Sequence, residues 1–175
     1  MEHKGVLSVF CSLENICSYA IMLKRRILKK IYTSKGPDET KDIGYRLGKM
    51  LKPGDVVGLY GELGSGKTTM VKGIARALGI EEKEVMSASF TIITEYDSNP
   101  PFSHIDLYRI EKDFELDEVG FWEHIGGSGI SVIEWAEKAE RMAPEDMIKV
   151  RLKSIGEEIR EITIEDENEK SRDNL

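Results

Sequence analysis

Several things are scarce in this chain of 175 residues. It has two cysteines, Cys11 and Cys17, six apart near the N-terminus. That spacing fits no common metal-binding pattern, and a single pair makes no disulfide framework. The three histidines, His3, His104 and His124, are scattered, so no structural zinc is implied. No apolar run reaches the roughly 18–20 residues that a membrane helix needs. Val6 to Leu23 comes nearest, and Glu14 and Asn15 interrupt it. A secretory signal carries its positive charge ahead of the apolar stretch; here Lys24-Arg25-Arg26 follows it, and no small-residue cleavage site is evident. A cytoplasmic protein without a membrane anchor is the expectation. Positive charge is also short. The net charge of −7 argues against a protein that grips nucleic acid by neutralising phosphates on its own.

The rest of the composition, 40% hydrophobic and 33% charged, is that of an ordinary globular domain, and the length suits one core. Charge is uneven along the chain. Residues 1–30 hold six Lys/Arg against two Glu, a net +4, which leaves −11 on the remainder. Residues 1–30 read as an N-terminal extension, and those upstream of Met22 follow neither helical nor strand periodicity well. We read them as an extension created by a start codon set too early, with Met22 as the expected first residue. An amphipathic appendage and a partner-binding extension are the alternatives. Residues 31–164 form the domain. Residues 165–175, polar and mostly charged, form an acidic, frayed tail.

Within the domain, Ile31 to Ser34 reads as a short edge strand. Pro37 opens a helix with Asp38 and Glu39 in its first turn and Ile43, Leu47, Met50 and Leu51 along one face. Pro53-Gly54 ends it, and the apolar run Val56 to Tyr60 is a buried strand. A helix is expected over Thr69 to Leu78, closed by Gly79. Thr91–Tyr96 and Phe102–Asp106 read as strands about a turn at 97–101. A helix over Glu115–Ile125 ends at Gly126-Gly127, and Ile130–Ile133 is a short buried strand. Another helix lies near Ala136–Met142, then an alternating strand over 147–153, a turn at Ser154–Glu157 and a last strand to Ile164. No internal repeat is present.

The decisive run is Gly61-Glu62-Leu63-Gly64-Ser65-Gly66-Lys67-Thr68, which fits G-x-x-x-x-G-K-[ST] between a strand and a helix. The glycines let consecutive backbone N–H groups turn inward on a polyphosphate, and the helix that follows adds the positive end of its dipole. Lys67 reaches the outer phosphates, and the Thr68 hydroxyl can ligate Mg²⁺. Gly61 to Thr69 are therefore the expected nucleotide-binding residues. Hydrolysis also needs acidic groups at the ends of neighbouring strands. Asp106 ends one strand and Glu134 follows another. Either alone reads equally well as a cap on a helix or turn; together with the phosphate loop the pair favours catalysis. Ser87-Ala88-Ser89-Phe90-Thr91 carries hydroxyls that a switch loop would use, although a polar turn explains them as simply.

Gly61 to Thr69, Ser87 to Thr91 with Glu95-Tyr96, His104-Ile105-Asp106-Leu107-Tyr108-Arg109 and Glu134-Trp135, in this order and spacing, resemble the TsaE (YjeE) family over about residues 31–164. The resemblance implies an α/β fold: a P-loop NTPase-like parallel sheet extended by antiparallel strands, with helices on both faces. It implies a small bacterial ATPase that uses ATP and Mg²⁺ and is needed for threonylcarbamoyladenosine in tRNA. The implied partners are TsaB and TsaD, with tRNA reached only through them. Lys67 would hold the β/γ-phosphates, Thr68 and Glu134 would serve Mg²⁺, and Asp106 would be essential to turnover. Trp135 would shape the site, a core packing role being its blander account. Tyr108 and Arg109 would lie near the site or a partner surface. The family's Ser-Pro-Thr-Phe is Ser87-Ala88-Ser89-Phe90 here, which frees that loop, and Glu62 replaces the usual aspartate.

Two rival functions stand beside the ATPase. A small-molecule kinase needs a lid with several arginines, yet between Asp106 and Glu134 there is one, Arg109, with five acidic residues in 111–118. A nucleotide-loaded adaptor without catalysis is the other. The absence of a guanine-reading N-K-x-D segment agrees with ATP over GTP.

Overall fold

The strand-forming runs assemble into a single seven-stranded sheet. The structure, a computed structural model, describes residues 28–86 and 91–167. In chain order the elements are β1 (Leu28–Ser34), α1 (Pro37–Gly48), β2 (Val56–Tyr60), α2 (Lys67–Ala77), β3 (Ile93–Tyr96) and β4 (Phe102–Asp106). A short α3 (Phe114–Glu118), a 3₁₀ turn (Phe121–His124), β5 (Ile130–Glu134), a second 3₁₀ turn (Ala136–Lys138), β6 (Ile148–Ser154) and β7 (Arg160–Asp166) follow. The sheet order is β1-β7-β6-β2-β5-β4-β3. Strands β6, β2, β5 and β4 are mutually parallel; β7 and β3 add antiparallel neighbours on either side, and β1 pairs antiparallel with β7. Two reversals restore direction, so β1 ends at the same edge as the four parallel strands.

Strand β2 is buried at all five positions, as a central parallel strand must be. Its alternate side chains feed two cores. Val57 and Leu59 pack with Ile43, Leu47, Met70 and Ile74 from α1 and α2. Val56 and Tyr60 pack on the other face with Leu107, Leu116, Phe121 and Ala136, which come from α3 and the turns around it. Helices therefore cover both faces, two full ones on the first and short ones on the second.

The two long helices touch along glycine. A Cβ on Gly44 would lie 2.4 Å from the Met70 carbonyl oxygen, and one on Gly73 would lie 2.1 Å from that of Lys41. Both distances are far inside van der Waals contact with rigid backbone, so α2 sits where it does only because these positions lack side chains. Helix α1 starts at Pro37, and Glu39 Oε2 accepts the Lys35 N–H at 2.8 Å, a carboxylate reaching back over the helix start.

Some elements differ from expectation. Strand β1 starts at Leu28 rather than Ile31, and β7 runs to Asp166 rather than Ile164. Leu28 pairs with Asp166 and Lys29 with Glu165, so residues given to the extension and tail complete a ladder. The helix expected over Glu115–Ile125 is broken at Gly120, whose φ of 68° leaves α3 and a 3₁₀ turn in its place. The helix near Ala136–Met142 is only the 3₁₀ turn Ala136–Lys138, because Trp135 adopts φ 59° immediately before it. Cys11, Cys17, the proposed first residue Met22 and the hydroxyl segment 87–90 lie outside the described residues.

Candidate functional site

Strand β2 delivers the chain to the edge where the parallel strands end, and the phosphate-loop motif turns there. Gly61 has φ 147° and Gly66 φ 102°. A Cβ at Gly61 would sit 2.4 Å from the Leu152 carbonyl oxygen and 2.7 Å from Ser65 Oγ, so this turn closes only around glycine. Helix α2 begins at Lys67, two residues before the expected Thr69, which puts the lysine and Thr68 in its first turn. Lys67 is buried, and its ammonium donates to the carbonyls of Gly61 at 2.7 Å and Glu62 at 3.0 Å. It also lies 3.7 Å from the centroid of the Trp135 ring. Burial pushes its pKa below the ordinary lysine value, against the pull of Glu134, Glu137 and Asp106. Ser65 Oγ, also buried, meets no hydrogen-bond partner among the described residues.

The carboxylates arrive from the next two strands. Parallel pairing of β4 with β5 sets Asp106 directly opposite Glu134. Both are buried. Glu134 is held at both oxygens: Thr68 Oγ1 donates to Oε2 at 3.0 Å, and His104 Nε2 lies 2.9 Å from Oε1. A carboxylate acceptor requires the imidazole proton on Nε2. Asp106 Oδ1 accepts the backbone N–H of Tyr108 at 3.0 Å. Beyond Glu134, Trp135 in its left-handed conformation turns its ring across the opening against Tyr108, the centroids 5.1 Å apart. A side chain held at positive φ is strained, and such strain collects at functional sites.

A cleft of about 400 Å³ joins these groups, with Lys67, Thr68, Asp106, Glu134 and Trp135 on its walls. Leu63, Gly64, Gly66, Thr69, Tyr108 and Arg109 complete it. The expected nucleotide-binding, metal-ligating and acidic residues are thus in or beside one opening, with Gly61, Glu62 and Ser65 forming the loop itself; the hydroxyl segment 87–90 lies outside the described residues. Chemically the cleft offers a cation, the N-terminal turn of helix α2, a hydroxyl–carboxylate pair and a second carboxylate. That set suits a polyanion carrying a hard divalent cation.

The family profile described as "Threonylcarbamoyl adenosine biosynthesis protein TsaE" matches residues 34–162. The chain belongs to the TsaE family. It is similar to a Bacillus subtilis (strain 168) protein described as "tRNA threonylcarbamoyladenosine biosynthesis protein TsaE", 43% identical over 128 residues, 73% of this chain and 79% of that one. A Treponema pallidum (strain Nichols) protein of the same description is 36% identical over 131 residues, 75% of this chain and 96% of the relative. The crystal structure of B. subtilis YdiB superposes with a TM-score of 0.66 at 35% identity, covering 83% of this chain and 90% of that one.

Two contacts at this TsaE-family site escaped the sequence. His104 reads there as one of three scattered histidines and as part of the run His104-Ile105-Asp106; only the pairing of β4 with β5 shows it turned onto Glu134. Lys138 falls in the helix expected near Ala136–Met142 and carries no expected role, yet its ammonium donates to the carbonyls of Tyr108 and Ile110, the latter at 2.7 Å, and so pins the turn after Asp106. A β-strand histidine with i+2 spacing to a site aspartate is the signal that would have found the first.

Proposed function

We propose that this chain is a Mg²⁺-dependent ATPase that supports threonylcarbamoyladenosine modification of tRNA in the cytoplasm, working with TsaB- and TsaD-family proteins. The carrying observation is the meeting of Lys67, Thr68, Asp106 and Glu134, from one loop and two further strand ends, on a single cleft. The residues suit ATP. The Lys67 ammonium, now satisfied by loop carbonyls, and the orphan Ser65 hydroxyl are donors without a better acceptor nearby, and phosphate oxygens supply acceptors. Thr68 and Glu134 would hold Mg²⁺. When bound it would neutralise charge on the phosphate oxygens. Among the described residues no cluster of three or more His, Cys, Asp and Glu forms a metal site alone. Such a site would therefore draw oxygen ligands from phosphate and water as well.

Lys67 and the loop N–H groups bind and orient the triphosphate, and Asp106 is the acidic group assigned to turnover. Among the described lining residues Arg109 is the single arginine, where a kinase lid would bring several. An arginine supplied in trans can raise such rates by about 10³–10⁵. Slow hydrolysis alone and faster hydrolysis with TsaB and TsaD is the expectation. The experiment measures phosphate release from ATP with and without saturating TsaB and TsaD, for the unaltered chain and Asp106→Asn. Partner stimulation that Asp106→Asn abolishes while still binding ATP supports the reading. Turnover unmoved by the partners would leave the adaptor account; label appearing on a nucleoside or sugar would mean a kinase.

A further inference from the structure

Resting on that nucleotide reading, we infer that His104 is a positioning residue for the reaction: it fixes which oxygen of Glu134 faces Thr68 and the cation position. Strand pairing brings it there. His104 and Asp106, two apart on β4, share one face of the sheet, and Glu134 lies on that face opposite Asp106. His104 itself stands opposite Val132, one step back along β5, and its Nε2 comes within 2.9 Å of Glu134 Oε1.

The backbone of Glu134 is held from both sides. It pairs with Leu59 of β2, and its carbonyl accepts the Leu107 N–H at 3.1 Å. What is left to settle is the side chain, whose successive torsions can aim the carboxylate in several directions. Thr68 alone does not choose among them, because either carboxylate oxygen can accept its hydroxyl proton. A second donor on the other oxygen does choose. With Oε1 taken by His104 and Oε2 by Thr68, the carboxylate is set in one orientation.

Burial makes the contact consequential. His104 and Glu134 are each 2% exposed, too deep for bulk water to stand in for the imidazole. A buried carboxylate oxygen without a donor is costly, so losing His104 would turn Glu134 toward other donors and away from its present aim. His104 is not among the described residues that line the cleft, so it acts through Glu134 and not on the nucleotide. Hydrogen bonds of this kind, from a residue behind a metal-ligating side chain, typically carry about 10–100-fold in metal affinity or activity.

The test measures ATP affinity by titration calorimetry, once with Mg²⁺ and once with chelator, on the full chain, His104→Leu and His104→Gln. The ratio of the two affinities reads the contribution of Mg²⁺. His104→Leu, of similar size but without a donor, should cut that ratio by about tenfold or more and leave affinity in chelator unchanged. His104→Gln, whose amide N–H can donate to Oε1, should keep most of the ratio. Thermal unfolding of both variants checks the fold. Nitrogen-15 NMR of the ligand-free chain adds a readout without nucleotide or metal: His104 should carry its proton on Nε2. A proton on Nδ1 alone, an unchanged ratio in His104→Leu, or equal loss in both variants would overturn the positioning role while sparing the phosphate loop. Should His104→Leu not fold, the tautomer and His104→Gln decide. Absence of any Mg²⁺ effect in the unaltered chain would overturn the Mg²⁺ reading itself and the role of His104 with it.

Discussion

Tyr60, the last residue of β2, carries a hydroxyl that is buried and meets no hydrogen-bond partner among the described residues. Burial pushes its pKa up to about 12, with Glu140 adding to the shift and Arg151, whose guanidinium lies 4.6 Å from the ring centroid, opposing it. A buried unpaired hydroxyl costs about 1–3 kcal/mol. Tyr60→Phe should therefore be neutral to stabilising by about 1 kcal/mol in denaturant unfolding. The pH sign is fixed as well. Between pH 10 and about 12 the folded phenol keeps a proton that the unfolded one releases, so stability falls as pH rises through that window. Tyr60→Phe should flatten that decline, and an unchanged alkaline limb would show that other groups drive it.

Residue-scale chemistry was unevenly legible in the sequence. Lys67, Thr68 and the glycines were readable because the phosphate loop is a local, contiguous arrangement whose spacing carries its own geometry. Asp106 and Glu134 were readable as strand-end acids, yet their pairing opposite one another is a matter of register between β4 and β5. The hold of His104 on Glu134 was not readable. It depends on two side chains thirty positions apart meeting across a sheet.

At the scale of elements, the contact between α1 and α2 places the phosphate-loop helix. It runs through Gly44 and Gly73, where any Cβ would strike the partner's backbone. Gly73→Ala should destabilise by about 1–3 kcal/mol, the usual cost of forcing extra volume into packed contact. Displacing α2 should also loosen the Lys67 and Thr68 end of the site, so ATP affinity should drop in the same variant. A variant as stable as the parent in urea, with unaltered ATP affinity, would contradict the role given to this contact. The helices α1 and α2 were legible, since apolar periodicity, Pro37 and Gly79 bound them. The 107–143 stretch was not. Its helical pattern over 115–125 yields to Gly120 at φ 68°, and Trp135 at φ 59° spends the next segment on the site rather than on a helix. At Gly120 a residue of low helix propensity takes the left-handed turn, whereas at Trp135 tertiary demand overrode local propensity.

The whole molecule reads as a mixed sheet whose parallel centre delivers a phosphate loop and two carboxylates to one edge. Its antiparallel flank of β6, β7 and β1 extends that edge past the loop. The sequence supports the parallel centre and the added antiparallel strands, because the motif, the strand lengths and the family resemblance agree. It does not show that Leu28 and Asp166 close the ladder, since charged residues such as Lys29 and Glu165 pair there at 2.8 Å without any apolar signal. The central claim is that the 61–68 turn wraps an ATP tail whose cation is held by Thr68 and Glu134. Calorimetric titration of ATP, with Mg²⁺ and with chelator, into the unaltered chain and Lys67→Ala tests it most directly. The account predicts heat of binding that is stronger with Mg²⁺ and lost or cut at least tenfold in Lys67→Ala. Equal binding by the two proteins, or affinity indifferent to Mg²⁺, would contradict it.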